Sequence, residues 1–159
     1  MCGMTVEVVN RGATVHSTVQ FLGSGKVVLG HGSQLRHFSV IEMCGGYFEL
    51  GERSVLGFQS MVQCTGDIRI GKNTLLGPQN VLLASYHPMS SDPEIQKTLR
   101  MSTLRIGDNV WSGSHVTFNH GIVIGANSVI GANSFVNKDV EENSITFGSP
   151  AKHVRYKDE

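Results

Sequence analysis

Along most of the chain the large apolar residues recur every six positions, a spacing that fits neither the 3.6-residue period of a helix nor the alternation of a half-buried strand. The unit is a large apolar anchor, often followed by glycine, then two polar turn formers, a small or β-branched residue and a variable one. Its clearest copies are Ile106-Gly107-Asp108-Asn109-Val110, Ile124-Gly125-Ala126-Asn127-Ser128 and Ile130-Gly131-Ala132-Asn133-Ser134. Earlier copies begin at Leu29, Leu50, Leu56, Ile70 and Leu76. The pattern predicts short parallel strands joined by tight corners. The anchors and the small residues Ser54, Thr74, Val110, Val116, Ser128 and Ser134 should point inward and stack from coil to coil.

A second period overlies the first. The residues that follow the anchors run Gly30, Arg36, Glu42; Gly51, Gly57, Gln63; Gly71, Gly77, Leu83; Gly107, Gly113, Asn119; Gly125, Gly131, Asn137. Every third one is not glycine, so one corner in three differs chemically. This predicts an all-β triangular prism of about five coils, a single domain over residues 1–159. The step from Ile106 to Ile124 is one coil of 18 residues, while the steps from Leu29 to Leu50 and from Leu50 to Ile70 carry three and two extra. Such excesses fit bulges or loops at corners. Glycine supplies either positive φ or close backbone approach at the turn. Ser112 and Phe118 stand at anchor positions without being aliphatic, which the spacing leaves unexplained.

The repeat is broken once. Residues 85–105 contain no hexad and hold Tyr86, His87, Pro88, Pro93, Lys97 and Arg100. A long loop ejected from a tight solenoid marks function more often than disorder. From residue 148 to 159 the chain leaves the repeat and is expected to fold as a short cap over the open coil end.

Composition narrows the classes. Thirteen basic residues balance thirteen acidic ones, so no net field favours nucleic acid or an anionic membrane surface. No apolar run reaches the length of a spanning helix, and the opening residues do not read as a signal peptide. Three cysteines, Cys2, Cys44 and Cys64, have no metal-like spacing and suit a reduced, cytoplasmic chain.

The strings Tyr86-His87-Pro88, Ile106 through Trp111, Asn137-Lys138-Asp139-Val140 and Gly148 through Arg155, set on these hexads, resemble the galactoside and maltose acetyltransferase branch of the hexapeptide-repeat acyltransferases. The bacterial polysaccharide O-acetyltransferases are similar. That resemblance implies a left-handed parallel β-helix, a homotrimer, and acetyl-CoA as the donor co-substrate, with no metal. It makes His87 the catalytic base that deprotonates an acceptor hydroxyl, a task suited to an imidazole that is partly free base at neutral pH. Ser114 matches the position that directs a donor at the thioester carbonyl, an oxyanion role. Trp111 matches a residue beside the active site, and Ala132 one whose backbone meets pantetheine. Asn137 and Lys138 match positions near the adenosine end, and Lys152 and Arg155 match basic residues that meet phosphates. The family's acceptor-holding asparagine aligns with Gly57, so galactosides are a poor guess. A sugar or polysaccharide-precursor hydroxyl is the expected acceptor.

Three other readings compete. His115 and His120, with His87 upstream, resemble the zinc ligands of γ-class carbonic anhydrases, but both come one residue late, which reverses a side chain in a strand. A covalent route through Cys64 is possible for a thiol, although its apolar setting suits a small buried hydrophobe better. A non-catalytic scaffold would keep the hexads but has no need of the His87 loop. The roles of His31, His37 and His115 stay open.

Overall fold

The computed structural model describes residues 5–157; Cys2 and the last two residues of the expected cap, Asp158 and Glu159, lie outside the described residues. Parallel strands stack into a three-sided prism, and the anchors form its three inner columns. The first face aligns Asn10, Leu29, Leu50, Ile70, Ile106, Ile124 and Val140. The second aligns Val15, Leu35, Leu56, Leu76, Ser112, Ile130 and Thr146. The third aligns Phe21, Ile41, Val62, Leu82, Phe118 and Val136. The anchors from Leu29 to Thr146 are buried. Among the described residues no helix is long and apolar enough to cross a membrane.

The second face has seven parallel rungs, so the expected count of about five coils is too low. A coil was missed at each end because Asn10 and Thr146 occupy anchor positions there. A polar anchor erases the hexad signal, but the neighbouring coil still supplies the backbone ladder.

Each corner satisfies its backbone by bonding to the next coil. Gly51, Gly71, Gly107 and Gly125 donate their N–H to Ile70, Ile106, Ile124 and Val140 at 2.9, 2.8, 2.9 and 2.8 Å. The left-handed residue of the turn stands three places after the anchor: Arg53, Asn73, Asn109, Asn127 and Asn143 have φ between 53° and 61°. Asparagine tolerates that region, and its amide is also used, since Asn109 donates to Asn127 at 3.2 Å and Asn127 to Asn143 at 3.1 Å. Glycine therefore serves close approach at these turns. A Cβ at Gly57 would collide with the backbone of Gly77 and Pro78 in the next coil.

Four of the six inward small residues, Ser54, Thr74, Ser128 and Ser134, are polar and hydrogen-bonded. Thr74 Oγ1 donates to the Gly107 carbonyl at 2.8 Å and accepts from the Val110 N–H at 3.1 Å, stitching two coils. The odd anchors also gain an account. Ser112 and Phe118 belong to one coil and both are fully buried, so a large side chain offsets a small one within the same layer. The Ser112 hydroxyl accepts from Asn80 Nδ2 at 2.7 Å, and Asn80 Oδ1 accepts from the Val116 N–H at 2.8 Å. The buried hydroxyl is thereby satisfied.

Variation in coil length collects at the corner between the third and first faces. From Leu29 to Val136 the anchor spacing is six at the other two corners, while at this one it runs 9, 8, 24 and 6. The interval of 24 residues, from Leu82 to Ile106, holds the ejected loop. Beyond Pro150, the strand Ala151–Tyr156 turns back antiparallel on Ser144–Gly148 and extends the second face at its C-terminal end.

Candidate active site

The loop leaves the third face at Ala84 and rejoins the first at Thr103. At its neck, Ser85–Tyr86 pairs antiparallel with Arg100–Met101. Gly66 underlies this neck, where a Cβ would collide with the Ser102 carbonyl. At the tip, Pro93–Lys97 forms a short helix with Asp92 as N-cap, its carboxylate accepting from the Glu94 N–H at 2.9 Å. No residue of that helix is buried. Thr98 closes it, its N–H and hydroxyl donating to the Ile95 carbonyl at 3.0 and 2.6 Å.

His87 lies exposed just past the neck, its Nδ1 3.0 Å from the carbonyl oxygen of Thr98. A carbonyl only accepts, so Nδ1 donates in this bond, and in the neutral imidazole the lone pair falls on Nε2. One ring nitrogen is thus used to orient the imidazole and the other takes no part in that bond.

The remaining sequence-predicted residues fall into two groups. Ser114 and Ala132 sit on the corner between the second and third faces in successive coils, the Asn133 N–H donating to the Ser114 carbonyl at 2.9 Å. Trp111, half exposed on the second face, lies in register between Leu75 and Val129. At the C-terminal end of the prism, Asn137, Lys138 and Lys152 line one cavity of about 500 Å³ with Glu141, His153 and Tyr156. The Tyr156 hydroxyl donates to Glu141 at 2.6 Å. Arg155 is opposite Ile145 on the returning strand and donates to the Tyr156 carbonyl at 3.2 Å. Within one chain, then, His87 belongs to one corner and Ser114 with Ala132 to another, with the third face between them.

The competing residues are also placed. His115 is the left-handed residue of the Ser114 corner, with φ 57°, whereas His120 stands at the far end of the third face. Among the described residues no three His, Cys, Asp or Glu side chains gather as a metal site would need. Cys64 is fully buried, its Sγ 3.0 Å from the Gly66 carbonyl and 3.2 Å from that of Tyr47. Burial pushes this thiol up to about 12, which keeps it protonated and poorly nucleophilic.

One feature escaped the sequence reading. The Tyr86 ring stacks on that of His120 with centroids 4.4 Å apart and planes 15° from parallel. His120 follows the third-face anchor Phe118 by two residues, as Ala84 follows Leu82, so the coil period alone places it at the loop's exit.

Comparison with known proteins agrees with this architecture. Residues 104–138 match the family described as bacterial transferase hexapeptide (six repeats). The galactoside O-acetyltransferase of Escherichia coli (strain K12) is 34% identical over 111 residues, covering 70% of this chain and 55% of that protein. The putative lipopolysaccharide biosynthesis O-acetyl transferase WbbJ of the same organism is 36% identical over 97 residues, covering 55% of this chain and 50% of WbbJ. A galactoside acetyltransferase solved in complex with coenzyme A superposes with a TM-score of 0.66 at 29% identity, over 95% of this chain and 64% of that one. The chain thus spans about half the length of the curated relatives it matches. Its hexad ladders, its prism and these likenesses agree: the chain belongs to the hexapeptide-repeat transferase family, with that family's left-handed parallel β-helix.

Proposed function

We propose that this chain transfers an acetyl group from acetyl-CoA to a hydroxyl of a sugar or polysaccharide precursor, with His87 as general base. The observation that carries the reading is the Nδ1 contact of His87 with the Thr98 carbonyl, which in the neutral ring puts the lone pair on Nε2 at an exposed loop position. The names of the related proteins supply the reaction class: two act, or are held to act, in O-acetyl transfer, and a solved neighbour holds coenzyme A.

In the proposed reaction His87 Nε2 takes the proton of the acceptor hydroxyl as its oxygen attacks the thioester carbonyl. A donor at Ser114, hydroxyl or backbone N–H, steadies the tetrahedral oxyanion. The carbon–sulfur bond then breaks, the thiolate of coenzyme A leaves, and the proton held by His87 returns to the sulfur. Lys138 and Lys152, with Asn137 beside them at the end cavity, are suited to the phosphates and adenosine of the donor. Arg155 extends that cationic group, and Trp111 and Ala132 border the path of the pantetheine arm. Because His87 and Ser114 lie on different corners of one prism, the complete site takes the loop of one copy and the Ser114 corner of the next. A cyclic homotrimer gives three such sites.

The test combines titration calorimetry with turnover on a panel of sugar acceptors. His87→Ala should bind acetyl-CoA as the parent does while losing ~10²–10⁴-fold in kcat. Lys152→Ala/Arg155→Ala should bind it more weakly. A His87→Ala protein with full turnover would remove the base, and full activity in a monomer would remove the shared site.

A further inference from the structure

We infer that Tyr86 and His120 act together as a clamp that positions His87; this rests on His87 being the base proposed above. The loop has little else to hold it. The side-chain hydrogen bonds of His87, Ser90, Asp92, Lys97 and Thr98 all end within the loop itself. Its helix buries nothing. The neck contributes one short antiparallel pair, and at its foot the Ser102 N–H donates to the Ala84 carbonyl at 2.9 Å and the Asp67 N–H to the Ser102 carbonyl at 3.2 Å.

The stack between Tyr86 and His120 is different in kind, since it joins a loop side chain to the prism. His120 is a firm partner because the backbone on either side of it is tied to neighbouring coils. The Asn119 N–H donates to the Val136 carbonyl at 2.9 Å and the Gly121 N–H to the Thr103 carbonyl at 2.7 Å. The His120 ring therefore stands on the rigid coil, and Tyr86 lies flat against it. His87 is the next residue. Fixing the Tyr86 ring fixes the direction in which the chain leaves the neck, and the Thr98 contact then sets the rotation of the imidazole. The clamp and the carbonyl divide the work: one locates the base, the other aims it.

A base displaced by about 1 Å can lose ~10²-fold in rate. Tyr86 and His120 are thus positioning residues, and the flat ring rather than the phenol or imidazole nitrogen is the part that matters. Tyr86→Ala and His120→Ala should each lower kcat by ~10–100-fold while leaving KM for acetyl-CoA within about twofold. Tyr86→Phe and His120→Phe, which keep an aromatic face, should restore most of the rate. The double alanine variant should be no slower than the slower single, as expected for two residues that work as one unit.

Trypsin cleavage at Lys97 and Arg100 reads loop freedom independently of turnover and should be faster in His120→Ala than in the parent. Full turnover in both alanine variants, with His87→Ala inactive, would overturn the clamp and leave the base assignment standing. His120→Phe as slow as His120→Ala would also overturn it, by assigning the effect to the imidazole nitrogens. If His87→Ala itself is fully active, the base assignment fails, and unchanged trypsin cleavage in His120→Ala would then dispose of the clamp separately.

Discussion

Phe118 and His87 are held in opposite ways. Phe118 is fully buried, its strand paired with one coil above and another below, and the Ser112 of its own layer gives it room. His87 is exposed, on a loop whose helix buries nothing, and its ring is oriented by one carbonyl. Inside the prism each side chain is specified many times over, so stability accumulates there and individual residues are hard to move. In the loop a few directional contacts specify the geometry. That economy leaves the His87 imidazole open to solvent, which the packed interior could not do without stranding a polar group.

The comparison yields tests of decreasing size. The largest concerns thiol chemistry inside and outside the prism. A thiol with a pKa of about 12 is roughly one part in 10⁴ thiolate at pH 8, so Cys64 should resist a thiol-specific reagent that modifies the exposed Cys44. Mass mapping of the labelled protein reads the difference, and labelling of native Cys64 at a rate like that of Cys44 would contradict the burial. The same thiol has a sign in stability. Its folded value lies above the ordinary 9.0, so its contribution is intact below pH 9 and declines as pH rises from 9 towards about 12, where the unfolded chain loses the proton first.

Next in size is Phe118→Ala, which opens a cavity in a filled layer and should lower unfolding free energy by ~3–5 kcal/mol in a urea titration. A loss below ~1 kcal/mol would mean that the layer collapses to fill the space, and that the prism is less rigid than its ladders imply. The smallest effect belongs to the loop. Asp92→Ala removes the helix cap at a cost of about 1 kcal/mol, confined to the loop. Tryptic cleavage at Lys97 should quicken about fivefold, while the midpoint of global unfolding stays where it was. A shift of that midpoint would show that loop and prism unfold together.

Legibility in the sequence followed the same division. From Leu29 to Val136 the anchors are nearly all aliphatic and the spacing shows through, so the faces, the inward small residues and the ejected loop could be read directly. At Asn10 and Thr146 the anchor is polar, and the terminal coils became visible only through their pairing with Leu29 and Ile130. The balance of Ser112 against Phe118 is a property of one layer, and no local window contains it. For the candidate site, residue types and resemblance named candidates but not their grouping. Lys152 meets Asn137 and Lys138 because the last strand returns antiparallel, a reversal that the hexads do not encode. The stack of Tyr86 on His120 joins a loop to a coil 34 positions further along the chain, beyond the reach of any local pattern.

Because from Leu29 to Val136 the prism absorbs its irregular lengths at a single corner, the ladders at the other two keep their register whatever is inserted there. The loop of the fourth coil is in this sense a cartridge. Its neck of two residue pairs ties it to the prism, and the tip helix Pro93–Lys97 buries nothing, so the tip can change without touching a layer of the core. A lineage built on this plan can lengthen or rewrite that tip by one insertion without renegotiating a single layer of the core.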